Sequence, residues 1–296
     1  MMMDTLVKRI AQTQNPTVWG ADTRVEHIPA EFAGSEANLS QAGAAQAILK
    51  YNKALVDALC EVVPAIKVQI AYYEMLGVAG MNAFFETCAY AKSKGMVVMA
   101  DAKRNDIGAT SEAYAAAFLG SSGDAGFPAD FLTVNPYLGS DGILPFVKAC
   151  RENDKGIFVL VKTSNPSSGE IQDQPLANGR LVYQHVAGLV EEWGKDLIGE
   201  EGYSAVGAVV GATHPREGVE LRAMLARVFF LVPGYGAQGA TGKDLAGVFH
   251  AGARGAIVNA SRSLLTAWQK QPGVDFQEAA LREAKRMQED IMGNVG

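Results

Sequence analysis

The stretch Asp101-Ala102-Lys103-Arg104-Asn105-Asp106-Ile107 is dense in charge, and it follows the wholly apolar run Met96-Val97-Val98-Met99-Ala100. An apolar run of this length reads as a buried strand. The charges therefore begin abruptly at its C-terminal end. Asp101 and Lys103 are two residues apart, so a strand turns both side chains to the same side. A carboxylate and an ammonium in a partly dry mouth stabilise each other's charged forms. That pairing suits proton transfer, or the stressing of a like-charged group on a substrate. For an isolated Asp-x-Lys the ordinary reading is a solvated ion pair; the sudden onset of charge after an apolar run favours the chemical one. Asp106 lies beyond the strand and can project elsewhere.

Lys67 is the one charge in Val62–Ala71 (VVPAIKVQIA), inside a second candidate strand. A buried ammonium is costly without an acidic neighbour. If the strands of Lys67 and Asp101 are adjacent, each supplies what the other needs; the alternative is a lysine snorkelling from an edge. A third signal is the glycine-rich Pro233-Gly234-Tyr235-Gly236-Ala237-Gln238-Gly239-Ala240-Thr241-Gly242, followed one strand later by Asn259-Ala260-Ser261-Arg262. Glycines let backbone N–H groups approach an anion, Arg262 adds a forked cation, and Gln238 adds side-chain donors. Glycine richness alone would mark only a turn. His27, His185, His214 and His250 show no metal-ligand spacing. His214 follows a candidate strand and could face a mouth, against a structural or solvent-exposed role. No G-x-S-x-G elbow occurs, which disfavours serine hydrolase chemistry.

The elements that must position these groups alternate along the chain. Short apolar runs rich in β-branched residues predict strands at Pro16–Asp22, Ala65–Ile70, Met96–Lys103, Phe131–Asn135, Gly156–Ser164, Ala205–Ala212, Arg227–Pro233 and Gly255–Ser261. Apolar residues at three- and four-residue spacing predict helices at Asn82–Lys94 and Leu181–Leu197. Eight strand–helix units in ~250 residues are what a closed (β/α)8 TIM barrel requires. An open doubly wound α/β sheet would be expected to show a glycine-rich turn after its first strand, and Asp22-Thr23-Arg24 is not one. No repeat or low-complexity linker divides the 296 residues, so residues 1–296 are read as a single barrel domain. Two long connections stand out: an inserted excursion near 23–40, and a polar, turn-rich, lid-like loop near 165–180, unless the latter is only a tolerated surface insertion.

Composition narrows the partners. Hydrophobic residues make up 48% and charged residues 20%, which excludes wholesale disorder. A net charge of -6 without a basic block disfavours nucleic acid and anionic membranes. No apolar run reaches the ~18 residues of a membrane span. The opening MMMDTLVKR has no apolar segment behind its basic pair, so no secretory signal is expected. Cys60, Cys88 and Cys150 are odd in number and scattered, which suits reduced thiols in a cytoplasm.

Together, Asp101-x-Lys103-x-x-Asp106-Ile107 with Thr110 following resembles the signature of the orotidine 5′-monophosphate decarboxylases. The likeness runs along nearly the whole barrel and is nearest to their longer bacterial subgroup, through the stretches GATHP and TSNPSS. The resemblance implies decarboxylation of orotidine 5′-monophosphate to uridine 5′-monophosphate, the last step of de novo pyrimidine nucleotide biosynthesis, without metal or cofactor. It implies that Lys103 protonates carbon 6 of the pyrimidine as carbon dioxide leaves, that Asp101 lies against the substrate carboxylate, and that Lys67 bridges Asp101 and the ribose. Asp106 would reach into the neighbouring subunit's site, and Thr110 would contact ribose across the same interface of a homodimer. Asp22 would hold a ribose hydroxyl, Ser164 the pyrimidine edge, and Gln238 and Arg262 the phosphate. One departure is Gly20-Ala21-Asp22, where the family's first strand usually ends Gly-Leu-Asp; the carboxylate is kept.

Two other functions compete. Metal-dependent pentulose-phosphate decarboxylases or aldolases of the same suprafamily share Asp-x-Lys-x-x-Asp but resembling members carry a glutamate metal ligand where Lys67 stands here. A non-catalytic phosphate-binding barrel would need no charged array beneath its phosphate grip.

Overall fold

The structure, a computed structural model, describes residues 1–35, 40–121, 126–236 and 239–295. Eight parallel strands close into one barrel in sequence order: β1 Thr17–Ala21, β2 Ala65–Gln69, β3 Val97–Arg104, β4 Phe131–Val134, β5 Gly156–Lys162, β6 Val206–Val210, β7 Phe230–Pro233 and β8 Ala256–Ala260. All eight expected strands are present, and β1 pairs with β8 to complete the ring. Most end a residue or two sooner than their apolar runs, because the ladder stops where polar side chains turn toward the mouth. Asp22 and Ser164 therefore stand just past β1 and β5 and not within them.

Eight helices of ten or more residues occur among the described residues. They are α1 Met2–Thr13, α2 Gln41–Leu59, α3 Gly77–Ser93, α4 Gly108–Leu119, α5 Ser140–Asn153, α6 Val182–Gly194, α7 Pro215–Met224 and α8 Phe276–Val295. The expected helices Asn82–Lys94 and Leu181–Leu197 correspond to α3 and α6. After β7 the crossover is reduced to the short helix Gly242–Leu245 and the 3-10 turn Ala246–Val248. α2 begins at an N-cap, Ser40, whose Oγ accepts from the Gly43 N–H at 3.0 Å.

Strand alternation builds two apolar layers. Outward residues pack beneath the helices in one continuous cluster. Inward residues, including Val18, Ala65, Met99, Phe131, Phe158, Leu231 and Ile257, fill the barrel itself. The Phe131 and Phe158 rings lie 5.2 Å apart in this layer. Gly207 makes room for them, since a Cβ there would lie 2.6 Å from the Phe158 ring. α1, which no sequence signal had singled out, closes the barrel floor: Met3 and Leu6 are fully buried in the same inner cluster. With Met3 and Leu6 sealing the floor, the barrel opens at the C-terminal end of the strands.

The excursion at 23–40 contains the 3-10 turn Val25–His27 and the short helix Ala30–Ala33, and residues 36–39 fall outside the described residues. The segment at 165–180 opens with the 3-10 turn Pro166–Glu170. No helix among the described residues is long and apolar enough to cross a membrane.

Candidate active site

Moving two residues up each inward face, from the apolar layer toward the mouth, changes its chemistry. Ala65 gives way to Lys67 and Gln69, Met99 to Asp101, Phe131 to Thr133, and Ile257 to Asn259. Of these, Lys67, Asp101, Thr133 and Asn259 floor a cavity of about 640 Å³ at the barrel mouth.

Asp101 is the hub of the floor. Its Oδ2 accepts from Lys67 Nζ at 2.6 Å and Gln69 Nε2 at 3.1 Å, and its Oδ1 from Lys103 Nζ at 2.5 Å and Thr133 Oγ1 at 2.9 Å. β2 and β3 are hydrogen-bonded neighbours with Gln69 opposite Asp101, which is why Lys67 reaches it. Burial alone would favour the protonated carboxyl of Asp101. The Lys67 and Lys103 ammonium groups outweigh it and hold the carboxylate well below its usual range. Lys67 is the mirror case. Burial would drive its proton off, but Asp101 and Asp22 together hold the ammonium above the usual lysine range. Asp22 Oδ1 lies 3.6 Å from Lys67 Nζ, beyond hydrogen-bond reach, and is a buried acceptor without a hydrogen bond.

Lys103 reaches Asp101 by a route that regular alternation does not supply. Between Ala100 and Arg104 the β3–β4 register shifts, so that β3 carries extra length against Leu132–Val134. Within this bulge Lys103 has φ 48°, a left-handed backbone that is costly for a side-chain-bearing residue. The Lys103 N–H donates to Thr133 Oγ1 at 3.0 Å, which anchors the kink. Bulges of this kind re-aim side chains next to active sites.

The mouth brings together Asp22, Lys67, Asp101, Lys103, Ser164 and Arg262, all of which line the cavity. Gly20 permits the close approach of β1 to β8, since a Cβ would fall 1.9 Å from Ser261 Oγ, next to Arg262. Ala21 points outward into the helix layer, so its difference from leucine does not touch the carboxylate at Asp22. Asp106 and Thr110 do not line their own chain's cavity. Asp106 is half-buried and its Oδ1 accepts from the Ile107 N–H at 2.8 Å, while Thr110 is exposed on the first turn of α4. His214 stands at the head of α7, 3.5 Å from Ser168 Oγ, and is absent from the lining. Gln238 lies outside the described residues.

Several lining residues escaped the sequence reading. Thr133, which lines the cavity, and Gln69, which lies behind the lining, complete the shell of Asp101, and their inward phase on β4 and β2 was the available signal. Arg24 and His27 come from the excursion, where nothing in the local pattern predicts a return to the mouth. The Arg24 N–H donates to His27 Nδ1 at 3.2 Å, and burial, with Arg24 beside it, lowers the His27 pKa. Asn165 and Gln172 bring the 165–180 segment to the cavity wall. That segment is tied to β5 by Lys162, whose fully buried ammonium meets Asp173 Oδ1 at 2.5 Å. Among the described residues no group of three His, Cys, Asp or Glu side chains could hold a metal ion. Cys60, Cys88 and Cys150 are free and buried, away from the mouth.

Comparison with known proteins agrees with this geometry. The family model described as Orotidine 5'-phosphate decarboxylase / HUMPS family matches residues 44–273. The chain is 40% identical over 292 residues to an orotidine 5'-phosphate decarboxylase of Clostridium perfringens, covering 98% of each chain. It is also 40% identical to an enzyme of the same name from Rhodopirellula baltica, covering 96% of each. Among solved structures, Leishmania donovani OMP decarboxylase superposes with a TM-score of 0.74 at 29% identity, covering 97% of this chain and 98% of that one. With a matching model over most of its length and relatives aligned nearly end to end, the chain belongs to the orotidine 5'-phosphate decarboxylase / HUMPS family.

Proposed function

We propose that this protein decarboxylates orotidine 5′-monophosphate to uridine 5′-monophosphate in pyrimidine nucleotide synthesis. The observation that carries the reading is the Lys67–Asp101–Lys103 array on the cavity floor, with Asp22 beside it. Loss of carbon dioxide from the 6-position of a uracil ring leaves an electron pair in the ring plane that no carbonyl can delocalise. A protein without an electron sink must then act through fixed charge and through complementarity to the transition state. Asp101, held ionised by its neighbours, repels a substrate carboxylate placed against it. Lys103 offers a cation to the developing carbanion and then its proton. Lys67 and Asp22 hold the ribose, supported by the open acceptor on Asp22. Ser164 meets the pyrimidine edge. Arg262, with Gln238, takes the phosphate.

The working form is a homodimer in the cytoplasm, with Asp106 and Thr110 completing the partner's site. Support for the shared site comes from the surface around these two residues. Ile107 is exposed between them, and Tyr137, Leu138 and Leu144 are exposed nearby, where Ser111 Oγ donates to Gly142 O at 3.1 Å and joins α4 to α5. Large apolar side chains grouped on one face mark an association surface.

The test is incubation with orotidine 5′-monophosphate, following ultraviolet absorbance with and without a chelator. Conversion at an equal rate in both is expected. Absence of conversion overturns the reading. Loss of turnover on chelation, restored by magnesium, identifies the metal-dependent sibling activity instead; Lys67, committed to Asp101, speaks against that outcome.

A further inference from the structure

The glycine-rich stretch after β7 leaves the barrel at Tyr235 and re-enters helix at Gly242, and both ends are tied to one carboxylate oxygen. The Tyr235 hydroxyl donates to Asp290 Oδ2 at 2.6 Å, and the Gly242 N–H donates to the same oxygen at 3.0 Å. Asp290 belongs to the last two turns of α8, outside the barrel, and does not line the cavity. The turn that carries it is fixed in its own right, because Asn294 Nδ2 donates to the Asp290 carbonyl at 2.7 Å.

Two further features bring the stretch and the helix together. The Gly236 N–H donates to Ala240 O at 2.9 Å and draws the two limbs toward each other. Gly242 is buried, and a Cβ there would collide with the Asp290 carbonyl oxygen, so α8 can come this close only where residue 242 has no side chain. Tyr235 is buried and lines the cavity, but its hydroxyl is committed to Asp290. Burial and the Asp290 carboxylate both push the Tyr235 pKa up, so the phenol stays a donor. Glycine loses more conformational freedom on ordering than any other residue, and a segment whose ends are already fixed has less to lose when a ligand orders it.

We propose that Asp290 is a positioning residue that ties both ends of the 235–242 stretch to α8 and so preorganises the grip on the 5′-phosphate. The C-terminal helix thereby takes part in substrate affinity from outside the cavity. The inference rests on the nucleotide reading above.

The test is calorimetric titration with uridine 5′-monophosphate and with uridine, which has the same base and ribose and no phosphate. Misfolded protein lowers the stoichiometry of such a titration and leaves the dissociation constant alone. Asp290→Ala is expected to weaken the nucleotide by about tenfold or more and uridine by no more than about twofold. Asp290→Asn keeps an oxygen that accepts from both donors, so the nucleotide should bind within about threefold of wild type. Tyr235→Phe keeps the ring and loses one tie; it should weaken the nucleotide by about threefold or more, and it decides alone if Asp290→Ala does not fold. Nucleotide affinity within about twofold of wild type in these two variants overturns the clamp. Equal weakening of nucleotide and nucleoside also overturns it, because Asp290 would then hold the cavity as a whole. If uridine binds too weakly to read, the nucleotide constants and the rescue by asparagine decide. A wild-type protein that does not bind uridine 5′-monophosphate removes the nucleotide reading itself, and the clamp with it.

Discussion

Lys103 donates to Asp101 Oδ1 at 2.5 Å from a residue whose own φ is 48°, at a bulge where β3 outruns β4. The contact joins residues two apart in sequence on a strand that is locally no longer regular. A left-handed lysine is held there at a conformational cost, and the Thr133 hydroxyl, bonded to both the Lys103 N–H and Asp101, pins it.

Replacement of Lys103 by alanine removes the proton donor and leaves the apolar barrel layers untouched. Turnover is expected to fall by at least about 10³-fold, the scale of a lost general acid. The thermal midpoint should move by no more than a few degrees, since the Lys103 side chain is 45% exposed. Steady-state kinetics and a thermal melt read the two effects separately. Activity within about tenfold of wild type would remove Lys103 from the role of donor.

Asp106 and Lys103 make a complementation pair. Lys103→Ala and Asp106→Ala are each expected to be inactive, and mixing them with subunit exchange should restore about a quarter of wild-type activity. By two-fold symmetry, random exchange makes about half the dimers mixed, and each mixed dimer has one intact site. Differently tagged variants show whether mixed dimers form. Mixed dimers as inactive as their parents would mean that Asp106 acts within its own chain.

Acid should weaken the fold through Asp101. Its folded-state pKa lies below the unfolded value of about 3.9. Its stabilising contribution is therefore complete above the unfolded pKa and is lost as pH falls through the folded one. Urea unfolding of wild type and Asp101→Asn across this range gives the check. The stability gap between them should be widest near neutrality and should narrow below about pH 4. A gap independent of pH would mean that Asp101 does not carry its charge in the folded protein.

Arg222 offers a prediction about stability alone. It is buried, and its guanidinium donates to the carbonyls of Val248, Leu225, Val228 and Gly255 at 2.9–3.1 Å, 3.6 Å from the Phe230 ring centre. Burial lowers its pKa to about 10. Arg222→Met removes the side-chain donor from all four carbonyls, of which Leu225 and Gly255 keep a backbone donor, and should destabilise the protein by about 2–4 kcal/mol in urea unfolding. The affinity for nucleotide should be unchanged, because Arg222 lies outside the cavity lining.

The amino-acid sequence alone determined the eight strands, their order as one barrel and the abrupt charge at the end of β3. Each is a local matter: a β-branched apolar run has few ways to be buried except as an inner strand, and charge that starts where the run ends must face the open end. Tertiary structure decided the rest. The bulge that turns Lys103 onto Asp101 depends on how β3 pairs with β4, which no single segment encodes. Thr133 and Gln69 become partners of Asp101 only because strand order sets them side by side. Arg24 and His27 return to the mouth from an excursion without periodicity, and α1 closes the floor because the barrel leaves an apolar hole its Met3 and Leu6 can fill. Periodicity reports which face of an element is buried; which elements meet is settled by packing between residues far apart in the chain.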